Sequence, residues 1–101
     1  MKNQNVLFAV IMMFLIGIGS AFGQNVSEEA RRHFDRGKAA LKMANSIAEC
    51  KPAIEELEQA VKLAPNWPEA FYNLGLAQEK AERFKDAVAS YKQYLRLAPN
   101  A

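Results

Sequence analysis

Leu63-Ala64-Pro65-Asn66 returns 34 residues later as Leu97-Ala98-Pro99-Asn100, and this echo decides the fold. The residues leading into each copy match in kind: Ala53 with Ala87, Ile54 with Val88, Leu57 with Tyr91, and Val61 with Leu95. Each set falls at helical spacing, so each marks one apolar stripe of a helix, used twice. A proline closes both stripes, because it lacks an amide N–H and biases the residue before it away from helical geometry.

A second correspondence precedes the first, at an offset of 38: Phe34 with Tyr72, Gly37 with Gly75, and Ala39 with Ala77. The change of offset implies about four extra residues in the first unit, around Lys42 to Lys51, in the turn between its two helices. Four helices follow, over about Glu28 to Ala44, Lys51 to Leu63, Pro68 to Ala81, and Phe84 to Leu97. Ser27 is positioned to cap the first, with Glu28 and Glu29 favouring its positive end. Pro52 and Pro68 fall in first turns, where a missing N–H costs least. No alternating strand pattern appears after the leader.

The first 23 residues read separately. Lys2 and the amino terminus make a short positive region before the apolar run Val6 to Ile18. Gly17, Gly19 and Ser20 then break the run, and Ala21-Phe22-Gly23 offers small residues before a cut ahead of Gln24. That is the plan of a bacterial-looking signal peptide, so the protein is expected to be exported, periplasmic or secreted. An uncleaved inner-membrane anchor over 6–23 is the competing reading, and a buried core helix a third. No Cys directly follows the apolar run, which argues against a lipoprotein modification. Residues 24–29 form a short linker and the first-helix start, 30–67 the first unit and 68–101 the second.

The chain has 101 residues and a formal net charge of +2, which falls by one with loss of Lys2. Near-neutrality gives no electrostatic reason to expect nucleic acid. The single Cys50 excludes an intramolecular disulfide, and with the single His33 it cannot complete a zinc site of the usual ligand count. Cys50 reads as a small residue at a turn or helix start, or else as a reactive thiol. His33 reads as a partly buried packing residue. No phosphate-cradling glycine loop, nucleophile elbow or His-Glu-x-x-His occurs. Glu55, Glu56 and Glu58 point in different directions around a helix, as a solvated face does, and not as a paired acid and base. No catalytic role, cofactor or metal is therefore expected.

Residues 68–101 resemble one complete tetratricopeptide repeat. The resemblance is carried by Phe71, Leu74-Gly75, Ala77, Phe84, Ala87, Tyr91 and Pro99. Gln78 stands where the family usually has an aromatic, and Tyr94 where it usually has alanine. Residues 30–67 resemble a weaker copy, with Arg36-Gly37 for Leu-Gly and His33 at the aromatic site. The resemblance implies an all-α, helix-turn-helix repeat solenoid. Four antiparallel helices in two units stack into a right-handed superhelix with a concave face. Gly37, Gly75, Ala53 and Ala87 allow close helix approach, while Phe71, Leu74, Phe84 and Tyr91 fill the space that remains.

The same resemblance places the inward residues of each first helix on the concave face. These are Arg31, Phe34, Asp35 and Lys38, with Leu41 and Lys42, in the first unit. In the second they are Glu69, Tyr72, Asn73, Leu76, Glu79 and Lys80. An Asn at the site of Asn73 often bonds the backbone of a bound extended peptide in this family. Phe34 and Tyr72 are either aromatic anchors of the kind enriched in hot spots or buried between helices. Two repeats cannot form the clamp for a terminal carboxylate that some members build from about three. The fourth helix is expected to expose Val88, Tyr91 and Leu95 on a side that a third repeat would cover.

The expected function is that of an exported scaffold or adaptor, binding a peptide or helix of a partner protein in the groove. Two alternatives remain: a self-assembling structural protein that pairs through the fourth helix, or the first part of a longer envelope protein with a further domain beyond residue 101.

Overall fold

Ser27 starts the fold. Its extended backbone (φ −66°, ψ 158°) lets its Oγ accept from the Ala30 N–H at 3.1 Å, satisfying one of the free amides of a helix N-terminus. The computed structural model describes residues 26–100, so the leader and Ala101 lie outside the described residues. Four helices follow: α1 (Glu28–Met43), α2 (Cys50–Leu63), α3 (Pro68–Lys80) and α4 (Phe84–Leu97). There is no strand among the described residues. The expected helices are present, with three ends moved by one residue: Ala44 and Ala81 are caps, and Cys50 already belongs to α2.

The extra residues of the first unit form the α1–α2 turn and supply a cap that the sequence reading missed. Glu49 N–H donates to Ser46 Oγ at 3.2 Å, and Glu49 Oε2 accepts from the Asn45 N–H at 2.8 Å. This reciprocal exchange is a variant of the Ser-x-x-Glu capping box. It starts a tight turn in which Cys50 N–H reaches the Ile47 carbonyl and Lys51 N–H the Ala48 carbonyl. Cys50 is fully buried, its Sγ 3.3 Å from the Ser46 carbonyl oxygen, which answers to the packing reading of this residue.

The α3–α4 turn closes differently. Arg83 N–H bonds the Gln78 carbonyl at 2.8 Å and Glu82 N–H the Glu79 carbonyl at 3.0 Å, the two bonds of a Schellman motif. Glu82 takes the left-handed position at φ 60°, where glycine is usual.

Packing runs from α1 to α2, α2 to α3 and α3 to α4, with α1 also touching α3. The core sits among the first three helices: Phe34 from α1, Ala53, Ile54, Leu57 and Ala60 from α2, Ala70, Leu74 and Ala77 from α3. Its many alanines bring helix axes close. The two glycines do so more strictly. A Cβ on Gly37 would lie 2.6 Å from Leu57 Cγ, and one on Gly75 would lie 2.5 Å from Tyr91 Cε1.

The fourth helix corrects two expectations. Phe84 does not fill the interior and is 59% exposed, because it opens α4 and that helix packs only on α3 among the described residues. Val88 and Leu95 are exposed as expected, but Tyr91 is half-buried, its ring laid against Gly75. Only Ala87 and Ser90 of α4 are buried. Glu56 is a third correction. It does not lie on a freely solvated face, since its Oε2 is 2.6 Å from His33 Nδ1 and its Oε1 is 3.8 Å from Arg36 Nη1, tying α2 to α1.

Candidate partner-binding face

Contact between α1 and α3 sets their surfaces side by side. Lys80 Nζ spans the two, donating to the Leu41 carbonyl at 3.3 Å near the end of α1. Helical spacing then carries Arg31, Asp35, Lys38 and Lys42 along α1, and Glu69, Tyr72, Asn73, Leu76 and Glu79 along α3.

The first half of this face is built on two stacked rings. Phe34 is only 5% exposed, and its centroid lies 4.3 Å from that of Trp67 at a tilt of 43°. Of the two readings of Phe34, burial is the one observed, so its ring offers no anchor to an outside molecule. Two exposed cations lie over the pair. Lys38 Nζ is 5.0 Å from the Phe34 centroid, and the Arg31 guanidinium carbon is 5.9 Å from the Trp67 ring. Trp67 was absent from the candidate set. The only sequence signal for it was its size, in a linker otherwise made of small residues and proline.

In the second half, Tyr72 is 43% exposed. Its ring lies 5.9 Å from that of Tyr91 and 5.2 Å from that of Tyr94, both tilted by nearly 50°. Offset, tilted rings at these distances attract through their quadrupoles. Tyr94, which departs from the small residue usual at its site, therefore finds its place on Tyr72. Tyr91 O–H donates to Glu79 Oε1 at 2.7 Å. Burial of the Tyr91 phenol and the Glu79 carboxylate beside it together push its ionisation well above the ordinary tyrosine range.

The remaining candidates divide by exposure. Asp35, Glu69, Glu79, Lys80, Arg31 and Lys38 are exposed, and Leu76 and Asn73 half-buried. Asn73 Nδ2 donates to the Glu69 carbonyl at 2.8 Å, one turn back on its own helix, which holds the amide in one orientation and leaves Oδ1 as an acceptor. The α1 side of the face thus carries Arg31, Lys38 and Asp35, and the α3 side carries Glu69, Glu79 and Lys80 with Tyr72. The face offers an exposed aromatic ring, charges of both signs and one amide oxygen. Among the described residues no group of three or more His, Cys, Asp or Glu side chains is placed to hold a metal ion.

Two family models match this chain. A TPR repeat model matches 51–82, which takes in nearly all of α2 and α3, and a tetratricopeptide repeat model matches 68–101, which begins at α3 and includes α4. Neither the curated proteins nor the solved structures provide a match. The two family matches run continuously over 51–101, half of the chain, and over those residues the protein belongs to the tetratricopeptide repeat family.

Proposed function

We propose that this protein is an exported protein-interaction module that holds an extended segment or helix of a partner protein against the face shared by α1 and α3. Repeats of this family typically serve as non-catalytic interaction modules, so a protein partner is the reading the fold favours. The observation that carries the specific face is Tyr72. It is a large aromatic side chain left 43% exposed beside the Asn73 amide, while its counterpart Phe34 is covered. Export is supported by the leader: Lys2, the apolar run from Val6 to Ile18, and the small residues before Gln24.

The test is crosslinking in living cells of the native host, with the full chain tagged at its C-terminus and captured from the envelope fraction. One dominant foreign protein is expected, lost on Tyr72→Ala or Asn73→Ala. Recovery of the chain alone, unaffected by either change, overturns the reading.

A second reading is favoured by the exposed row Phe84, Val88 and Leu95 on α4, at 59%, 51% and 53%. An apolar row of this kind can pair with a second copy. Sedimentation at several concentrations separates the two: a monomer throughout removes self-assembly.

A further inference from the structure

The two units treat equivalent aromatic positions in opposite ways. In the first, Phe34 lies beneath Trp67, and Lys38 and Arg31 stand over the two rings. At the offset of 38, Phe34 becomes Tyr72, Arg31 becomes Glu69, Lys38 becomes Leu76 and Leu41 becomes Glu79. Where the first unit brings its own cations to its rings, the second has carboxylates and an apolar residue. Among the described residues, the cation–ring contacts are those two of the first unit.

The second site therefore presents aromatic faces with no cation of their own. An aromatic face carries negative potential from its quadrupole. Glu69 and Glu79 lie three residues before and seven after Tyr72, spacings that put both carboxylates on the same side of α3 as the ring. Glu79 is held beside the tyrosines by the bond from Tyr91 O–H, through one of its two oxygens. Neither acid has a salt-bridge partner among the described residues. Lys80, next to Glu79, reaches to the Leu41 carbonyl of α1 instead.

We propose that the Tyr72–Tyr94 surface, flanked by Glu69 and Glu79, receives a cationic side chain of the bound partner, arginine in preference to lysine. A guanidinium lies flat on an aromatic ring and can fork to a carboxylate at the same time, whereas an ammonium is a compact, strongly hydrated charge. The α1 side disfavours the same group, since Arg31 and Lys38 repel it. Asp35 is the exposed carboxylate of the α1 side, but it stands between those two cations, so a basic residue is drawn to the rings and paired acids of the second unit, which sets the register of the segment that carries it. This inference rests on the α1–α3 face being the partner-binding face, and it narrows the partner to a segment presenting a basic residue at the second unit.

The full chain, labelled with 13C in its tyrosine rings, would be titrated by NMR with three capped tetrapeptides that differ only in carrying two Arg, two Lys or two Glu residues between Ser and Leu. The Arg peptide is expected to shift the rings of Tyr72 and Tyr94, the Lys peptide to shift them less, and the Glu peptide not at all. Tyr72→Ala should weaken Arg-peptide binding about threefold to fivefold. Glu69→Lys, an exposed change that leaves the tyrosines in place, should weaken it at least as much. The assignment is overturned if millimolar Arg peptide leaves both rings unmoved, if the Glu peptide moves them equally, or if Glu69→Lys binds the Arg peptide unchanged. Should any of these occur while the in-cell partner is still lost on Tyr72→Ala, the interaction face stands and only the cationic occupant falls.

Discussion

Ser90 Oγ donates to Gln78 Oε1 at 2.6 Å across the α3–α4 contact, and both side chains are buried. Gln78 occupies a site where a repeat of this kind usually has an aromatic ring, so the polar pair replaces a ring packed against a small residue. Within a buried contact each partner depends on the other. Ser90→Ala leaves the Gln78 oxygen without its donor and should destabilise the fold by about 1–3 kcal/mol in urea unfolding. Replacing both, Gln78→Leu with Ser90→Ala, should recover much of the loss, because no buried polar atom is then left alone. A double-variant loss equal to the sum of the losses in Ser90→Ala and Gln78→Leu alone would show that the pair contributes no coupling.

The two close-approach glycines should differ in their tolerance of a methyl group. Alanine gains about 1 kcal/mol of helix propensity over glycine, so any net loss reports the clash. At Gly37 the new Cβ meets Leu57, which is fully buried, and comes within 3.3 Å of the Ala53 carbonyl oxygen. Leu57 has no open space to move into, so Gly37→Ala should cost about 1–3 kcal/mol net. At Gly75 the three nearest atoms all belong to the ring of Tyr91, which is half-buried and can swing outward. Gly75→Ala should cost less, and it should release Tyr91 from Glu79. Thermal unfolding of the two variants checks the order, and a larger loss at Gly75 contradicts it.

The helices were legible because their signals are local. The Leu-Ala-Pro-Asn echo, the prolines, and Ser27 with its following acids act within a few residues of themselves. The α1–α2 turn was legible only in length. Its cap at Ser46 depends on the reach of Glu49 back to Asn45, which no apolar pattern announces. The candidate face was half legible. Resemblance to the family put Tyr72, Asn73 and Glu79 together on one face of α3, but neither resemblance nor periodicity says which neighbour covers a ring. Phe34 and Tyr72 look alike in the repeat and differ because Trp67 covers one, whereas Tyr91 and Tyr94 stack beside the other. The same limit applies to His33 and Glu56, which lie 23 residues apart and meet only once α1 packs on α2. Phe84 was misread because a family site is filled only when a neighbouring helix covers it.

High pH should weaken the fold through Tyr91. Burial and the Glu79 carboxylate keep its phenol protonated in the folded chain to a pH well above the ordinary value of about 10. In the unfolded chain the phenol ionises near that ordinary value, so above it the unfolded state binds fewer protons than the folded one. Stability must then fall as pH rises past about 10, and the contribution is intact below that pH. Absorbance titration of tyrosinate should show a Tyr91 component ionising late, one that Tyr91→Phe removes. Urea midpoints on either side of pH 10 should fall less steeply in Tyr91→Phe than in the parent chain. Parallel slopes would mean that Tyr91 titrates alike in both states.

Glu82 offers a gain in stability. It holds the left-handed position of the α3 C-terminal motif at φ 60°, with its N–H bonded to the Glu79 carbonyl. A side chain in that conformation costs about 1–2 kcal/mol. Glycine removes the cost but enlarges the entropy of the unfolded chain by about 0.4–1 kcal/mol. The first effect is larger, so Glu82→Gly should stabilise the fold by about 0.5–1 kcal/mol in urea unfolding. Glu82→Ala keeps the strained backbone without the glycine benefit and should give no such gain. If alanine stabilises as much as glycine, the benefit comes from removing the carboxylate near the end of α3, where the helix dipole disfavours negative charge, and not from the backbone.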